Sequence, residues 1–275
     1  MRAGGCLPKA ASAFLLALVF ATTAYWLHLD RVDLSDLDCG GHALYALRLH
    51  RFMMSPSRAS WRALSEDIAY YYPPLTQFIG ALSMFALKPS GDALILTSLF
   101  VFGTLLFLAC NGLERMLTKG EGGLPVSGYM SLLAPGLVNL SRRYYLDFPL
   151  AAMVCTGVYC LVRSENFRNR KGSVLFGVVA GLGMLTKWTY PIFLAAPVIL
   201  ALFRSKPTRH TIKNIALASL IPLVIAAPWY IASLDRIVWN FLRFRLDARL
   251  TEMAPVLSSS SLVFYPRYIL QGRRS

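Results

Sequence analysis

Nine apolar windows, separated by short polar segments, are the feature that most constrains how this chain can fold. A helix that crosses a lipid bilayer needs about 20 predominantly apolar residues, and several of these windows are shorter. The sequence therefore predicts an all-α, polytopic membrane protein with about seven transmembrane helices, in which the shorter windows form tilted or paired short helices or lie in the interface. The windows span about residues 10–28, 73–87, 91–111, 123–140, 145–162, 173–186, 189–203, 212–233 and 259–270.

Composition excludes a water-soluble globule and a nucleic-acid partner. Apolar residues make up 56% of the 275-residue chain and charged residues only 15%, whereas a soluble domain carries roughly a quarter charged residues. The net charge of +14 would indicate nucleic-acid binding in a soluble protein. Here the lysines and arginines lie largely in short loops, where retention on the cytoplasmic side and anionic lipid headgroups account for them. We therefore expect membrane lipids, and no nucleic acid, around this chain.

Clusters of basic residues set the predicted orientation, because loops rich in Lys and Arg stay on the cytoplasmic side. The first apolar window is interpreted either as a signal peptide or as an uncleaved anchor. The later windows favour the anchor, and both alternatives place residue 30 outside. The cytoplasmic clusters are Arg115 with Lys119; Arg163, Arg168, Arg170 and Lys171; and Arg204, Lys206, Arg209 and Lys213.

This orientation allows only one of the windows 73–87 and 91–111 to cross the membrane fully. We assign the crossing to 91–111, so the shorter window, which opens with two prolines, is expected to be interfacial or re-entrant. Residues 29–72 then form a first external loop with amphipathic helices, and residues 234–258 form a further external loop. The polar residues of interest lie on this outer side.

The first external loop contains an acid and a histidine one turn apart. Asp38 precedes an amphipathic helix over Ala43–Arg51, at a position suited to capping that helix. The cap alone could explain Asp38, and a catalytic carboxylate is the alternative. His42 is interpreted either as a hydrogen-bonded interfacial histidine or as a metal ligand or base partner.

The second group of external polar residues surrounds the start of a later apolar helix. Asp147 is placed to cap that helix, and an acid entering an apolar helix is also a functional candidate. Arg142 and Arg143 break the positive-inside pattern, so they either reach lipid headgroups or bind phosphate. Lys187 and Arg243 are further cations on the outer side. Acids and bases thus converge on one face, as an enzyme that acts on a phosphate-bearing lipid requires.

Four short motifs occur in order along the chain. They are Asp38-Cys-Gly-Gly-His-Ala-Leu-Tyr-Ala-Leu-Arg48, Tyr71-Tyr72-Pro73-Pro74-Leu75, Arg143-Tyr-Tyr-Leu-Asp147-Phe-Pro-Leu150 and Gly-Leu-Gly-Met-Leu-Thr-Lys187-Trp. Together they resemble the GT-C membrane glycosyltransferases, and most nearly glycosyltransferase family 39, which includes protein mannosyltransferases and aminoarabinose transferases. The resemblance covers about residues 10–270 and implies a GT-C-type helical bundle. It corresponds to the N-terminal half of a typical member, so residues 1–275 are expected to be a single, truncated transferase domain.

The resemblance implies transfer of a sugar, with inversion, from a dolichyl or undecaprenyl phosphate carrier to a glycan, lipid or protein acceptor on the non-cytoplasmic face. Asp38 would be the catalytic carboxylate, and Asp147 a second carboxylate that orients the acceptor or a metal. The remaining implied roles are binding of the donor phosphate by Arg142, Arg143 and Lys187, and a substrate groove lined by His42, Tyr72, Pro73, Pro74 and Arg243.

One departure from the family concerns metal binding. Some relatives carry an acid and a lysine just before the two prolines, where this chain has Tyr71 and Tyr72. No cofactor is therefore firmly implied, and a divalent metal is left open, with Asp38, His42 and Asp147 as its candidate ligands. The nearest acids upstream of the tyrosines are Glu66 and Asp67.

Two alternatives to an active transferase are a transporter or flippase of a phosphorylated lipid or sugar, and an inactive fragment of the transferase. A transporter would carry its charges in mid-helix, near the bilayer midplane. Here the charges lie at helix ends on one side, which favours the enzyme. The termini carry no lipidation motif, and this favours a bacterial inner membrane with an outward-facing site.

Overall fold

The chain is folded into helices joined by turns. The computed structural model describes residues 6–29, 37–65, 72–118 and 126–250, and within these ranges no β-strand occurs. The predicted all-α fold is therefore confirmed. The helices are α1 (Cys6–Leu29), α2 (Leu37–Met54), α3 (Arg58–Ser65), α4 (Leu75–Ser83), α5 (Gly91–Ser98), α6 (Thr104–Leu117), α7 (Val126–Leu133), α8 (Pro135–Ser141), α9 (Asp147–Arg163), α10 (Arg170–Met184), α11 (Tyr190–Arg204), α12 (Arg209–Ala232) and α13 (Leu234–Leu250).

Two helical stretches of the described chain are long and apolar enough to cross a membrane. One is Gly91–Leu117, which combines α5, the π-helical segment Leu99–Gly103 and α6, and the other is α12. At 1.5 Å per residue, α12 is about 36 Å long, which exceeds a hydrocarbon core of about 30 Å. Its outer side chains include Leu220 and Val224, which are exposed in the protein and suit a lipid environment. The chain is an all-α membrane protein, and the number of crossings stays a prediction.

Most apolar windows coincide with helices, but the window 123–140 does not form one continuous span. It is divided into α7 and α8 at Ala134, whose ψ of 124° is extended. The break arises because Pro135 disfavours the helical conformation in the residue before it, while Pro135 itself fits the first turn of α8. The window is therefore two short helices and not one continuous helix.

The helix α4, which follows the two prolines, has only nine residues. It is about 14 Å long at 1.5 Å per residue, less than half of a hydrocarbon core of about 30 Å. A helix of this length cannot cross the core by itself, and its interfacial or re-entrant placement stays a prediction. The segment predicted as the first external loop contains helices α2 and α3, and its external placement likewise stays a prediction.

The residues that the structure describes within the predicted external loop at 234–258 form a helix, α13, and the external placement stays a prediction. The apolar residues Leu234, Val238 and Leu242 recur at four-residue spacing between the charges, which is a helical pattern. Residues 251–258 and the window 259–270 lie outside the described residues. The chain divides into two compact units, one up to Ile231 and the other from Ala232, and α13 belongs to the second.

The core of the first unit is built around α9, which packs against α6, α10 and α11. A smaller cluster of buried side chains joins α1, α2, α5 and the turn that leads into α9. Its members are Leu27, Cys39, Ala43, Ala46, Met84, Leu94, Ile95 and Tyr144. This cluster brings the start of α2 to the start of α9, where the candidate carboxylates lie.

Candidate active site

An ion pair between Asp147 and Lys187 is the central polar contact of the site. Lys187 Nζ lies 2.7 Å from Asp147 Oδ1, and the ammonium donates a charge-assisted hydrogen bond. The Lys187 side chain is 19% exposed and the Asp147 side chain 48% exposed, so the carboxylate is open to solvent. The predicted capping role of Asp147 is wrong, because Leu146 occupies the N-cap of α9 and Asp147 follows it. Its carboxylate instead reaches the turn between α10 and α11.

Lys187 is held by a tight turn between α10 and α11. Its N–H donates to Gly183 O at 3.2 Å, and its own carbonyl accepts from the Tyr190 N–H at 3.0 Å. Glycine is required at 183, because a side-chain carbon there would overlap the ring of Tyr190. Tyr190 is itself buried, so the ring cannot move aside freely. Packing thus fixes the backbone from which Lys187 extends.

The two prolines lie beside this turn. Leu75, the first residue of α4, donates its N–H to Leu185 O at 2.9 Å. Proline has no backbone N–H, so Leu75 is the first residue after the pair that can make this bond. Pro73 is buried and Pro74 half-buried. The segment predicted to line the substrate groove is therefore tied directly to the Lys187 turn.

His42 is buried near the ion pair, with a side chain that is 4% exposed. Its Nδ1 lies 3.1 Å from the amide nitrogen of Gln77, and its ring meets the Tyr72 ring edge-on at 4.9 Å between centroids. Tyr72 in turn meets Trp188 edge-on at 6.5 Å. Burial and then the positive charge of Lys187 lower the pKa of His42 to about 4, against the opposing charge of Asp147. His42 is therefore neutral near pH 7.

Asp38 lies in the first turn of α2 and is exposed. It follows the first helical residue, so the predicted capping position is off by a residue or more. The neighbouring Cys39 is buried, and its Sγ accepts a hydrogen bond from the Tyr144 N–H at 3.2 Å. The Tyr144 hydroxyl donates to Thr76 O at 3.0 Å. These bonds place the start of α2 against the turn before α9, on the same side of the fold as Asp147.

The two arginines before α9 extend in different directions. The Arg142 guanidinium lies over the Trp26 ring, 4.2 Å from its centroid, and lines a cavity of about 100 Å³. Its Nε is buried without a hydrogen-bond partner among the described residues. Arg143 is exposed and donates to the Tyr145 hydroxyl at 3.4 Å. Their binding of the donor phosphate stays a prediction.

The described residues contain no group of three or more His, Cys, Asp and Glu side chains placed to hold a metal ion. Asp38, His42 and Asp147 therefore do not form the ligand set that the sequence left open, and His42 Nδ1 faces Gln77 instead. Arg243 is exposed on α13, in the second unit. The acids Glu66 and Asp67, together with Tyr71, lie outside the described residues.

Sequence reasoning missed Gln77, Trp188 and Tyr144 as parts of this site. Gln77 is a single amide in the apolar helix α4, and a polar residue in such a helix is a functional candidate by default. This rule could have found it. Trp188 and Tyr144 lie inside motifs already recognised, but their partners come from other helices and leave no local pattern.

Comparison with known proteins identifies the family of the chain. A family model described as dolichyl-phosphate-mannose-protein mannosyltransferase matches residues 72–231, a range that contains the two prolines, Asp147 and Lys187. Neither a curated protein nor a solved structure matched the chain. The family match covers more than half of the sequence and confirms the family resemblance, although the first of the four motifs, Asp38 to Arg48, lies outside the matched range. The chain thus belongs to the dolichyl-phosphate-mannose-protein mannosyltransferase family of glycosyltransferases.

Proposed function

We propose that this chain transfers a sugar, with inversion, from a dolichyl or undecaprenyl phosphate carrier to a glycan, lipid or protein acceptor on the non-cytoplasmic membrane face. The observation that carries the proposal is the Asp147–Lys187 ion pair, which lies inside the range matched by the family model. The pair combines a solvent-open carboxylate with a half-buried cation. Sugar transfer from a lipid phosphate needs both kinds of group.

The reaction has one bond formed and one broken. An acceptor hydroxyl oxygen attacks the anomeric carbon, its proton passes to a carboxylate, and the bond from that carbon to the carrier phosphate breaks with its electron pair left on the phosphate. Asp38 is the proposed base, because it is exposed in the first turn of α2, next to Cys39, which contacts the turn that precedes α9 and Asp147. Asp147 then orients the acceptor and the lysine.

Lys187 stabilises the leaving phosphate in this mechanism. An ammonium has three donors, of which Asp147 accepts one, so two remain for phosphate oxygens. Because Lys187 is largely shielded from water, its attraction to the growing negative charge is stronger than in bulk solvent. Arg142 and Arg143, in the turn before α9, are proposed to contact the same phosphate. His42, Tyr72 and the two prolines form the adjoining wall of the groove.

The location of the charges supports a transferase over a transporter. Asp147 is the first residue of α9 and Lys187 lies in a turn, so both belong to helix ends. Transport sites are typically built near the bilayer midplane from interrupted helices. The basic clusters between apolar windows support a multi-pass protein with the site facing away from the cytoplasm, and we propose a bacterial inner membrane as its location.

The test is transfer of radiolabelled sugar from a panel of dolichyl and undecaprenyl phosphate sugars, in membranes that contain the full chain. We expect Asp38→Asn and Asp147→Asn each to lower transfer by roughly 10²-fold or more, as for loss of a base or an orienting carboxylate. Asp92→Asn is the matched control, since Asp92 is an exposed acid in the first turn of α5. Unchanged transfer in Asp38→Asn would remove Asp38 as the base. Absence of transfer from every donor on the panel would contradict the proposed function.

A further inference from the structure

Gln77 faces His42 with the nitrogen of its amide. The Gln77 side chain is completely buried, and its Nε2 lies 3.1 Å from His42 Nδ1. An amide nitrogen donates hydrogen bonds and does not accept them, so Nδ1 must be the acceptor. A neutral imidazole carries one proton, and that proton is then on Nε2. The contact therefore selects one of the two neutral forms of the ring.

The surroundings of the two side chains indicate that this arrangement is held in place. The Gln77 Oε1 atom is buried and has no hydrogen-bond donor among the described residues. Among the described residues, the contact of Nε2 with His42 is therefore the side-chain hydrogen bond that orients the amide. Tyr72 covers the imidazole edge-on at 4.9 Å, which limits rotation of the ring. Both partners of the hydrogen bond are thus fixed by packing.

We propose that Gln77 is a positioning residue that keeps the His42 ring in the form with its proton on Nε2, so that the ring acts as a neutral hydrogen-bond donor beside the Asp147–Lys187 pair. The only lone pair that a neutral imidazole offers in its plane is occupied by Gln77. His42 is therefore unable to take the acceptor proton, which leaves that task to a carboxylate. As a donor, it binds a sugar or phosphate oxygen without placing a second cation next to Lys187.

The form of the ring is independent of any enzymatic assay, and only the role of the Nε2–H toward substrate rests on the proposed function. The experiment is nitrogen NMR of the full chain in lipid nanodiscs, labelled with ¹⁵N-histidine, near pH 7. The chain has four histidines, so the spectrum is small. The signal of His42 is identified by its loss in His42→Gln. In the wild type we expect a protonated Nε2 and an unprotonated Nδ1.

Two variants test the cause. In Gln77→Glu a carboxylate replaces the amide donor, so we expect a proton to appear on Nδ1, and in the transfer assay a fall in kcat of roughly 10²-fold with a nearly constant KM for the donor. Thr76→Val is the matched control, because Thr76 is the buried neighbour on the same helix and its hydroxyl has no partner among the described residues. It should leave the His42 signals unchanged.

A proton on Nδ1 in the wild type would overturn the inference. This measurement does not depend on the folding of any variant. An unprotonated Nδ1 that persists in folded Gln77→Glu would also overturn it. The two proposals fail separately. If the ring signals behave as expected but no sugar donor is used, the transferase proposal fails alone, and if transfer is seen with Nδ1 protonated, the role of Gln77 fails alone.

Discussion

Replacement of Lys187 by methionine separates the contribution of the ion pair to catalysis from its contribution to folding. Methionine keeps an unbranched apolar stem of similar length and removes the ammonium. The substitution breaks the 2.7 Å contact with Asp147 and leaves the carboxylate 48% exposed, so water can solvate it. A partly exposed pair of this kind contributes about 0.5–1 kcal/mol to stability. We therefore expect only a small decrease in the free energy of unfolding.

The expected effect on transfer is much larger. Loss of one preorganised donor to a developing negative charge lowers kcat by about 10²–10³-fold, or roughly 3–4 kcal/mol of transition-state stabilisation. The assay is single-turnover transfer from the radiolabelled lipid-phosphate sugar, alongside thermal unfolding of the same preparation. Lys171→Met, at an exposed lysine in the first turn of α10, is the control for loss of one positive charge.

The two magnitudes make the prediction easy to refute. If Lys187→Met retains wild-type kcat, the ammonium does not stabilise the leaving group and the ion pair is structural. If the loss of transfer merely follows the loss of folded protein, the same conclusion holds. Lys187→Arg adds a graded check, because it keeps the charge but presents a planar fork in place of a point charge, so partial activity is expected.

Two further predictions concern stability. Gly183→Ala should destabilise the protein by about 1–3 kcal/mol, because the added methyl overlaps the buried Tyr190 ring. Gly41→Ala, at a helical position with nothing within 4 Å, should instead stabilise it by about 0.5–1 kcal/mol. Thermal unfolding in detergent measures both effects, and equal shifts of the unfolding temperature would contradict the packing argument. The pKa of His42 is lowered from 6.5 to about 4, so the folded state binds this proton less readily than the unfolded state. The free energy of unfolding that this difference contributes is fully present above about pH 6.5 and is lost as the pH falls towards about 4, by about 3 kcal/mol in total. His42→Gln should reduce the dependence of the free energy of unfolding on pH over this range. An unchanged pH dependence would show that His42 is not the titrating group.

Local patterns in the sequence were sufficient to identify most helices. The helices α1, α9, α10, α11 and α12 follow directly from apolar windows, because apolar length and periodicity are properties of a single segment. The same approach failed at Pro135, where one residue interrupts an otherwise apolar run, and at α13, where charges concealed a helical spacing. In both places the signal was local, namely a proline in one segment and a helical spacing in the other. The average polarity of the segment nevertheless decided the prediction.

The site was only partly predictable for a different reason. Asp147 and Lys187 stood out because charges are costly in apolar surroundings, but nothing in the sequence joins one to the other across 40 positions. Nothing in the sequence joins His42 to Gln77 either, and Gln77 itself was missed. Such pairs are set by how helices pack, so a pattern that identifies each residue cannot identify its partner.

The hydrogen bonds between early and late segments have a consequence for biosynthesis. Cys39 meets Tyr144 across 105 positions, and Leu75 meets Leu185 across a similar interval. At a translation rate of about 5–20 residues per second, the start of α2 waits on the order of ten seconds for its partner. Until then the hydrogen bonds that join the early and late segments cannot form. We therefore expect the site to assemble in one late step, after α10 and the turn that follows it have been synthesised.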